Sequence, residues 1–315
     1  MDIEPLRYFA EVIRQGSFSV AARRLHISQP ALSMRIGQLE EELGYLLIDR
    51  SARPLVPTHE GSEVLVRVRE ILQDLDALED VAFEIGQEVR GELVLGIIPT
   101  ISAYLVPLFI GKLLESHPGM ELSVEEMVTE DIMEGLRWGD LDAGIVSTPL
   151  SVRGVHFTPL LYERFFLYVS EHHPLSGEDA IDLNRFDPED LWYLREGNCF
   201  QNQVNAMCKL SGKRVAGQRV SYSSNSIESL RRIVENRGGM CFIPELATIH
   251  IPADREEMVK EIAEPSPVRE VSLAVTRSQS KLKLIEALKQ SILESIPAAM
   301  RSGEQRTLYS PNLSL

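Results

Sequence analysis

Apolar residues at Leu6, Phe9, Val12 and Ile13 recur at helical spacing, and Gly16 ends that run. Ser17-Phe18-Ser19 opens a short second helix carrying Val20, Ala21, Ala22 and Leu25, and His26-Ile27-Ser28 forms a tight turn. Ser28 is suited to cap a third helix, Pro30 fits its first turn, and Leu32, Ile36, Leu39 and Leu43 form its buried stripe. Two helices joined by about three residues, with Ala at the close crossing, predict a helix-turn-helix whose later helix suits a major groove. Thr58 can cap the next helix, in which Val64, Val68, Ile71, Leu75, Leu78, Ala82 and Ile85 follow at alternating steps of four and three. That is the seam of a coiled coil about three heptads long.

From Gly91 the pattern changes to alternating strand and helix. Leu93 to Ile98 reads as a strand, Tyr104 to Glu115 as a helix, Glu121 to Glu126 as a strand, Asp131 to Trp138 as a helix and Ala143 to Ser147 as a strand. This order predicts a parallel-sheet α/β unit. A second such unit is expected from about Glu163 to Pro265, with the strand Phe165 to Val169 and the helix Ile227 to Glu235, and Val271 to Thr276 and Leu282 to Leu293 return to the first. Pro297 to Leu315 has little periodicity and is expected to be a mobile tail.

The span between Glu92 and Lys112 holds no charge, but Gly96, Pro99 and Pro107 interrupt it, so a strand and a separate helix fit better than a membrane crossing. Asp2 and Glu4 stand where an export signal would be basic, and the 3 Cys are few, which together point to a reducing cytoplasm. No cofactor motif is present, and without ligand spacing around His172 and His173 no metal site is expected. The net charge of -15 argues against nucleic acid until its distribution is considered. Met1 to Glu60 balances seven Arg against eight acids, with Arg grouped at 23 to 24, 35 and 50 to 53. A local basic face on an acidic chain is the footprint of a nucleic-acid contact.

Cys199 and Cys208 flank eight residues in REGNCFQNQVNAMC. Asn198, Gln201, Asn202 and Gln203 are polar and Lys209, Lys213 and Arg214 cationic, a setting that can favour a thiolate. If the intervening residues are helical, nine rises of ~1.5 Å hold the Cα atoms about 13 to 14 Å apart, against the roughly 7 Å a disulfide tolerates. Bridging them would unwind the segment. Cys241, in GGMCFIPEL, reads as an inert buried thiol.

The string SFSVAARRLHISQPALSMRIGQLEEELGYLLIDR resembles the winged helix-turn-helix of LysR-type bacterial transcription regulators. The resemblance implies an all-α winged helix-turn-helix at 1–58, a linker dimerisation helix at 59–90 and an α/β effector domain at 91–296. That domain is two-lobed and periplasmic-binding-protein-like, with lobe I at about 91–162 and 266–296 and lobe II at about 163–265. Gln29, Pro30, Ser33 and Arg35 would face the major groove, Arg50 and Arg53 would lie in the wing, and Met34 replaces a frequent basic residue. The linker seam, including Val68, Ile71, Leu75 and Leu78, would pair two chains on a partly palindromic double-stranded operator.

The cysteine segment resembles the peroxide-sensing OxyR branch of that family. The resemblance makes Cys199 the peroxide-reacting and Cys208 the resolving thiol, with Thr100, Thr129, Asn198, Gln203 and Arg269 around hydrogen peroxide. Asn198 departs from the usual His, and an amide cannot take up a proton. Ile227 and Leu230 would lie at a further dimer contact. A homodimer or homotetramer, RNA polymerase and a thiol-reducing system are the implied partners, and no enzyme activity is implied. Two other readings stay open: a LysR-type regulator answering a small metabolite, and a thiol peroxidase.

Overall fold

The computed structural model describes residues 2–84, 89–184, 188–195, 198–208, 222, 224–264, 266–276, 281–302, 307–311 and 313. The chain divides into two compact units, one comprising residues 1–87 with 278–280, the other residues 88–277 with 281–315.

In the first unit α1 (Glu4–Gln15) buries Leu6, Phe9 and Val12. It stops at Gly16, whose φ of 59° is left-handed and where a Cβ would stand 2.7 Å from Pro54 Cβ. Glycine therefore serves both the turn and the close approach of the wing. The Ser17 hydroxyl accepts from the Val20 amide to start α2 (Phe18–Arg24), and Ser28 accepts from Ala31 to start α3 (Gln29–Leu43). Between them His26 takes a positive φ of 54°, the tight turn expected there. Leu32, Ile36 and Leu39 are buried, Leu43 only partly.

Strands β1 (Ile48–Asp49) and β2 (Val56–Pro57) pair antiparallel as a wing. Glu40, one of the eight acids counted in the N-terminal segment, is 6% exposed and organises that wing. Its Oε1 accepts from the Leu47 and Ile48 amides at 2.9 and 3.3 Å, and its Oε2 accepts from Arg50 Nη2 at 2.9 Å. Thr58 donates to the Leu46 carbonyl and accepts from the Gly61 amide, capping α4 (His59–Glu84). On α4 Val68 is 2% exposed within a single chain, so it is taken up by the chain's own packing and is withdrawn from the expected seam. Ile71 is 42% exposed and Leu75 half-buried, whereas the side chains of Leu78 and Ala82, and all of Ile85, lie outside the described residues.

In the second unit β3 (Arg90–Ile97) pairs in parallel with β4 (Gly119–Glu126) and β5 (Ala143–Thr148), with α5 (Pro99–Ser116) and α6 (Thr129–Trp138) as the connections. The first helix begins five residues earlier than its apolar pattern predicts. Pro99 occupies its first turn, where the missing N–H has no intrahelical partner to lose, and this brings Thr100 into α5.

The long strand β6 (Val155–Val169) runs antiparallel to β10 (Pro267–Thr276), itself antiparallel to β5. The expected lobe boundary at 162/163 therefore falls inside a continuous strand, which carries the chain from one lobe to the other. Beyond it β6 pairs antiparallel with β8 (Met240–Pro244) and β9 (Val259–Ile262), and β7 (Ala180–Ile181) runs parallel to β9. The second lobe is thus not the parallel unit expected, because its sheet is built on the strand that enters from the first. Helices α7 (Cys199–Met207), α8 (Ile227–Arg237), α9 (Glu245–Thr248) and α10 (Leu282–Ser295) complete the unit. Ile227 and Leu230 are 3% and 1% exposed and belong to the core of one chain, so the face that α8 turns outward carries Arg232, Asn236 and Arg237 instead.

The tail also differs from expectation. Met300 is buried, and β11 (Thr307–Leu308) adds in parallel to β10, with the Tyr309 amide donating to the Val268 carbonyl at 3.0 Å. Backbone pairing with an open strand needs no apolar periodicity, which is why the pattern did not reveal it. Among the described residues no helix is long and apolar enough to cross a membrane.

Candidate redox site and nucleic-acid interface

Cys199 opens α7. Asn198 precedes it as cap, its side-chain oxygen accepting from the Phe200 amide at 3.0 Å while its Nδ2 donates to Asn225 Oδ1 at 3.5 Å. The amide expected to meet peroxide is therefore engaged in holding the start of the helix. Cys199 is 4% exposed, and its Sγ lies 2.6 Å from the hydroxyl of Thr129, the first residue of α6. Burial pushes the thiol above its ordinary range, while the Thr129 hydrogen bond and the positive charge of Arg269 oppose the rise. These groups bias the resting sulfur toward the thiol; Lys209, Lys213 and Arg214, from which a thiolate was expected, lie outside the described residues.

Arg269, on β10, is wholly buried. Its Nε donates to Glu163 Oε1 at 2.7 Å, and Nη2 lies 2.6 Å from the same oxygen. Nη1 donates to the Thr100 hydroxyl at 3.1 Å and Nη2 to the Thr100 carbonyl at 3.2 Å. The guanidinium sits 4.7 Å from the centroid of Phe200, which stacks on Phe165. Of the two threonines expected beside the sulfur, Thr129 is bonded to it and Thr100 is bonded to Arg269.

Glu163 went unnoticed in the sequence although it carries this arrangement. Wholly buried, it accepts from the Leu246 amide as well as from Arg269. Burial raises its carboxyl, and Arg269 acts against that rise. An acid inside the apolar run LLYERFFLYV was the available signal, since a buried charge requires a partner.

Gln203 stands one helical turn after Cys199 on the same face of α7. It is fully buried, and its Nε2 donates to the Ser147 hydroxyl at 3.1 Å and to the Tyr309 carbonyl at 2.7 Å. Cys208 follows the helix, its amide donating to the Val204 carbonyl, and burial alone pushes its thiol up to about 12. All three cysteines are free thiols. With Cys199–Met207 helical, nine rises separate the two Cα atoms by about 13 to 14 Å, so a bridge between them requires α7 to unwind. Cys241 is buried in β8 opposite Tyr168, and burial pushes its thiol far up.

On α3, Gln29, Pro30 and Arg35 are exposed and Ser33 is partly so; Gln29 and Pro30 lie in the first turn, where the backbone adds partial positive charge. Arg53 Nη1 donates to the Arg50 and Ala52 carbonyls, bracing the wing turn. Arg50 Nη2 bonds Glu40 and its guanidinium lies over Phe18 at 5.5 Å, which braces the wing against α3 while leaving the side chain 47% exposed. Among the described residues no group of three side chains could hold a metal.

A winged helix-turn-helix followed by a two-lobed α/β domain defines a class of bacterial regulator. Residues 3–62 match the family model of the bacterial regulatory helix-turn-helix protein, lysR family, and residues 86–297 that of the LysR substrate binding domain, so the chain belongs to the LysR family. It is 31% identical over 283 residues to the hydrogen peroxide-inducible genes activator of Haemophilus influenzae, covering 90% of this chain and 93% of that one. It is 29% identical over 303 residues to the DNA-binding transcriptional dual regulator OxyR of Escherichia coli, covering 95% and 96%. Among solved structures it is similar to a full-length OxyR variant from Pseudomonas aeruginosa, with a TM-score of 0.79 and 30% identity over 97% of this chain and 99% of that one. It is also similar to OxyR from Porphyromonas gingivalis, with a TM-score of 0.64 and 32% identity over 70% and 99%. Within the family the chain falls in the OxyR-like branch.

Proposed function

We propose that this protein is a cytoplasmic, DNA-binding transcription regulator that senses hydrogen peroxide through Cys199 and is switched by a reversible disulfide with Cys208. The observation that carries this reading is the buried Cys199 sulfur, 2.6 Å from Thr129 Oγ1 and at the start of a helix that would have to unwind for Cys208 to arrive. The names of its relatives support it.

In the first step the Cys199 sulfur gives two electrons to peroxide and the O–O bond breaks. One oxygen stays as sulfenic acid, and the other leaves as water with the thiol proton. The thiol supplies its own proton because Asn198 and Gln203 are amides and cannot shuttle one. Thr129 donates to the sulfur as negative charge develops on it, and the Arg269 charge acts in the same direction. In the second step Cys208 attacks the sulfenic acid, an S–S bond forms and a second water leaves. A dithiol reductant restores both thiols by two-electron exchange. Unwinding of α7 converts that bond into a change of shape.

On DNA, Gln29, Pro30, Ser33 and Arg35 address the major groove and Arg53 the backbone beside it, in a homodimer or a pair of dimers on a partly palindromic site that engages RNA polymerase. The test is to treat the reduced protein with limiting peroxide, map its thiols and footprint both forms on its own upstream region. A bond joining the peptides that carry Cys199 and Cys208, with an altered footprint lost in Cys199→Ser, is expected. No such bond, or a Cys199→Ser footprint that still responds to peroxide, overturns the reading.

A further inference from the structure

Gln203 has an arrangement that the peroxide reading alone does not require. Its amide nitrogen uses both hydrogens, one on Ser147 Oγ and one on the main-chain carbonyl of Tyr309, 106 residues away in sequence. Its Oε1 is buried with no hydrogen-bond partner among the described residues. Buried acceptors are seldom left unpaired, so this oxygen is held ready for a donor.

The orientation is decided at the tail. Ser147 Oγ donates its one hydrogen to the Glu270 carbonyl at 3.2 Å, but that hydroxyl can rotate and give the hydrogen to an amide oxygen instead, so by itself it does not fix which end of Gln203 it meets. The Tyr309 carbonyl can only accept. Turned the other way, Gln203 would set two acceptor oxygens against each other at about the 2.7 Å now occupied by the hydrogen bond. That carbonyl is itself held in place, because β11 pairs with β10 at Val268↔Leu308 and the Tyr309 amide donates to the Val268 carbonyl. The anchor is the residue immediately before Arg269, so one strand carries both the buried guanidinium and the support of the tail.

We propose that the Tyr309 main chain is a positioning group for the redox site: the tail strand orients the Gln203 amide so that Oε1, one helical turn from Cys199, faces the reacting sulfur's surroundings as an acceptor for the O–H of peroxide. Tyr309 touches no reactant and acts only through Gln203, and the inference rests on the peroxide reading above. The chemistry is unchanged: sulfur is oxidised by two electrons, the O–O bond breaks, and water leaves with the thiol proton. What the tail adds is the orientation of one hydrogen bond to the oxidant.

The test compares the full chain with Tyr309→Pro, which removes the amide donated to Val268, with a chain ending at Ser302, and with Tyr309→Phe, which keeps every main-chain group. Each reduced protein is reacted with hydrogen peroxide and separately with iodoacetamide, following Cys199 by peptide mapping. The ratio of the two rate constants is the readout, since a merely loosened pocket changes access for both reagents together. Tyr309→Pro and the truncation should lower that ratio about tenfold, the worth of one hydrogen bond lost from the transition state, while Tyr309→Phe matches the parent. Ratios unchanged in both Tyr309→Pro and the truncation, or a loss in Tyr309→Phe equal to that in Tyr309→Pro, overturn the inference. If the parent itself forms no sulfenic acid or disulfide at Cys199, it is the peroxide reading that fails.

Discussion

Replacing Arg269 with Met keeps much of the side chain's length and strips Glu163 of its counter-charge. Glu163 is wholly buried, and among the described residues only the Leu246 amide would remain of the donors that now meet its carboxylate. Removing one partner of a buried pair costs about 3 to 5 kcal/mol, because the other charge is left uncompensated. In a unit of this size each kcal/mol moves the melting temperature by about 2 to 4 °C, so a fall of about 6 to 20 °C is expected. Both tryptophans, Trp138 and Trp192, lie in the effector unit, so their fluorescence reports its unfolding without a contribution from the winged domain. The pH dependence supplies a second readout. Without Arg269 the folded-state pKa of Glu163 is raised further above its unfolded value, so the variant's stability is present below the unfolded pKa and lost as pH rises through the folded one. The deficit should therefore be small near pH 4 and grow as pH rises toward neutral, and Glu163→Gln added to Arg269→Met should recover part of it. A single variant within about 1 kcal/mol of the parent at pH 7, or a deficit that does not change with pH, would refute the assignment of Arg269 and Glu163 as a mutually supporting buried pair.

Three further outcomes follow from particular contacts. Because burial pushes the Cys208 thiol up to about 12, its alkylation in the reduced protein should titrate between the ordinary thiol value and 12; at pH 7 its thiolate is about a thousandfold scarcer than that of a thiol at the reference value of 9.0. A midpoint near 9 in the folded chain would show that Cys208 is not desolvated. At Gly61 a Cβ would stand 2.0 Å from the Leu47 carbonyl oxygen, so Gly61→Ala should separate α4 from the wing and cost about 1 to 3 kcal/mol; wild-type unfolding of the winged domain, followed by circular dichroism, would contradict this. Ile71 is 42% exposed on one chain, and Ile71→Asp should weaken self-association in sedimentation and, through half-site coupling, operator affinity; unchanged sedimentation would remove Ile71 from the seam.

Much of the winged domain was legible in the sequence because its signals are local. A helix ends at Gly16, caps stand at Ser17, Ser28 and Thr58, and each acts on backbone groups within a few residues. The βαβ order of the first lobe was legible for the same reason, since strand and helix periods are read over short windows. Cys199 and Cys208 stood out by spacing and by resemblance.

Tertiary structure decided what depends on distant neighbours. Resemblance assigned Ile227 and Leu230 to a dimer contact, whereas packing within the chain gave that face to its own core. Nothing near Glu40 in sequence shows that the wing brings two amides and Arg50 to it. The charge bias of Cys199 could not be inferred from sequence, because burial, a property of the whole fold, raises its thiol more than the Thr129 hydrogen bond and Arg269 lower it. Glu163 and Arg269, like Gln203 and Tyr309, are each 106 residues apart. Such pairs leave no local period, cap or turn signal, so the sequence determined most of the elements and the candidate thiols, and the packing of those elements decided which groups surround the sulfur.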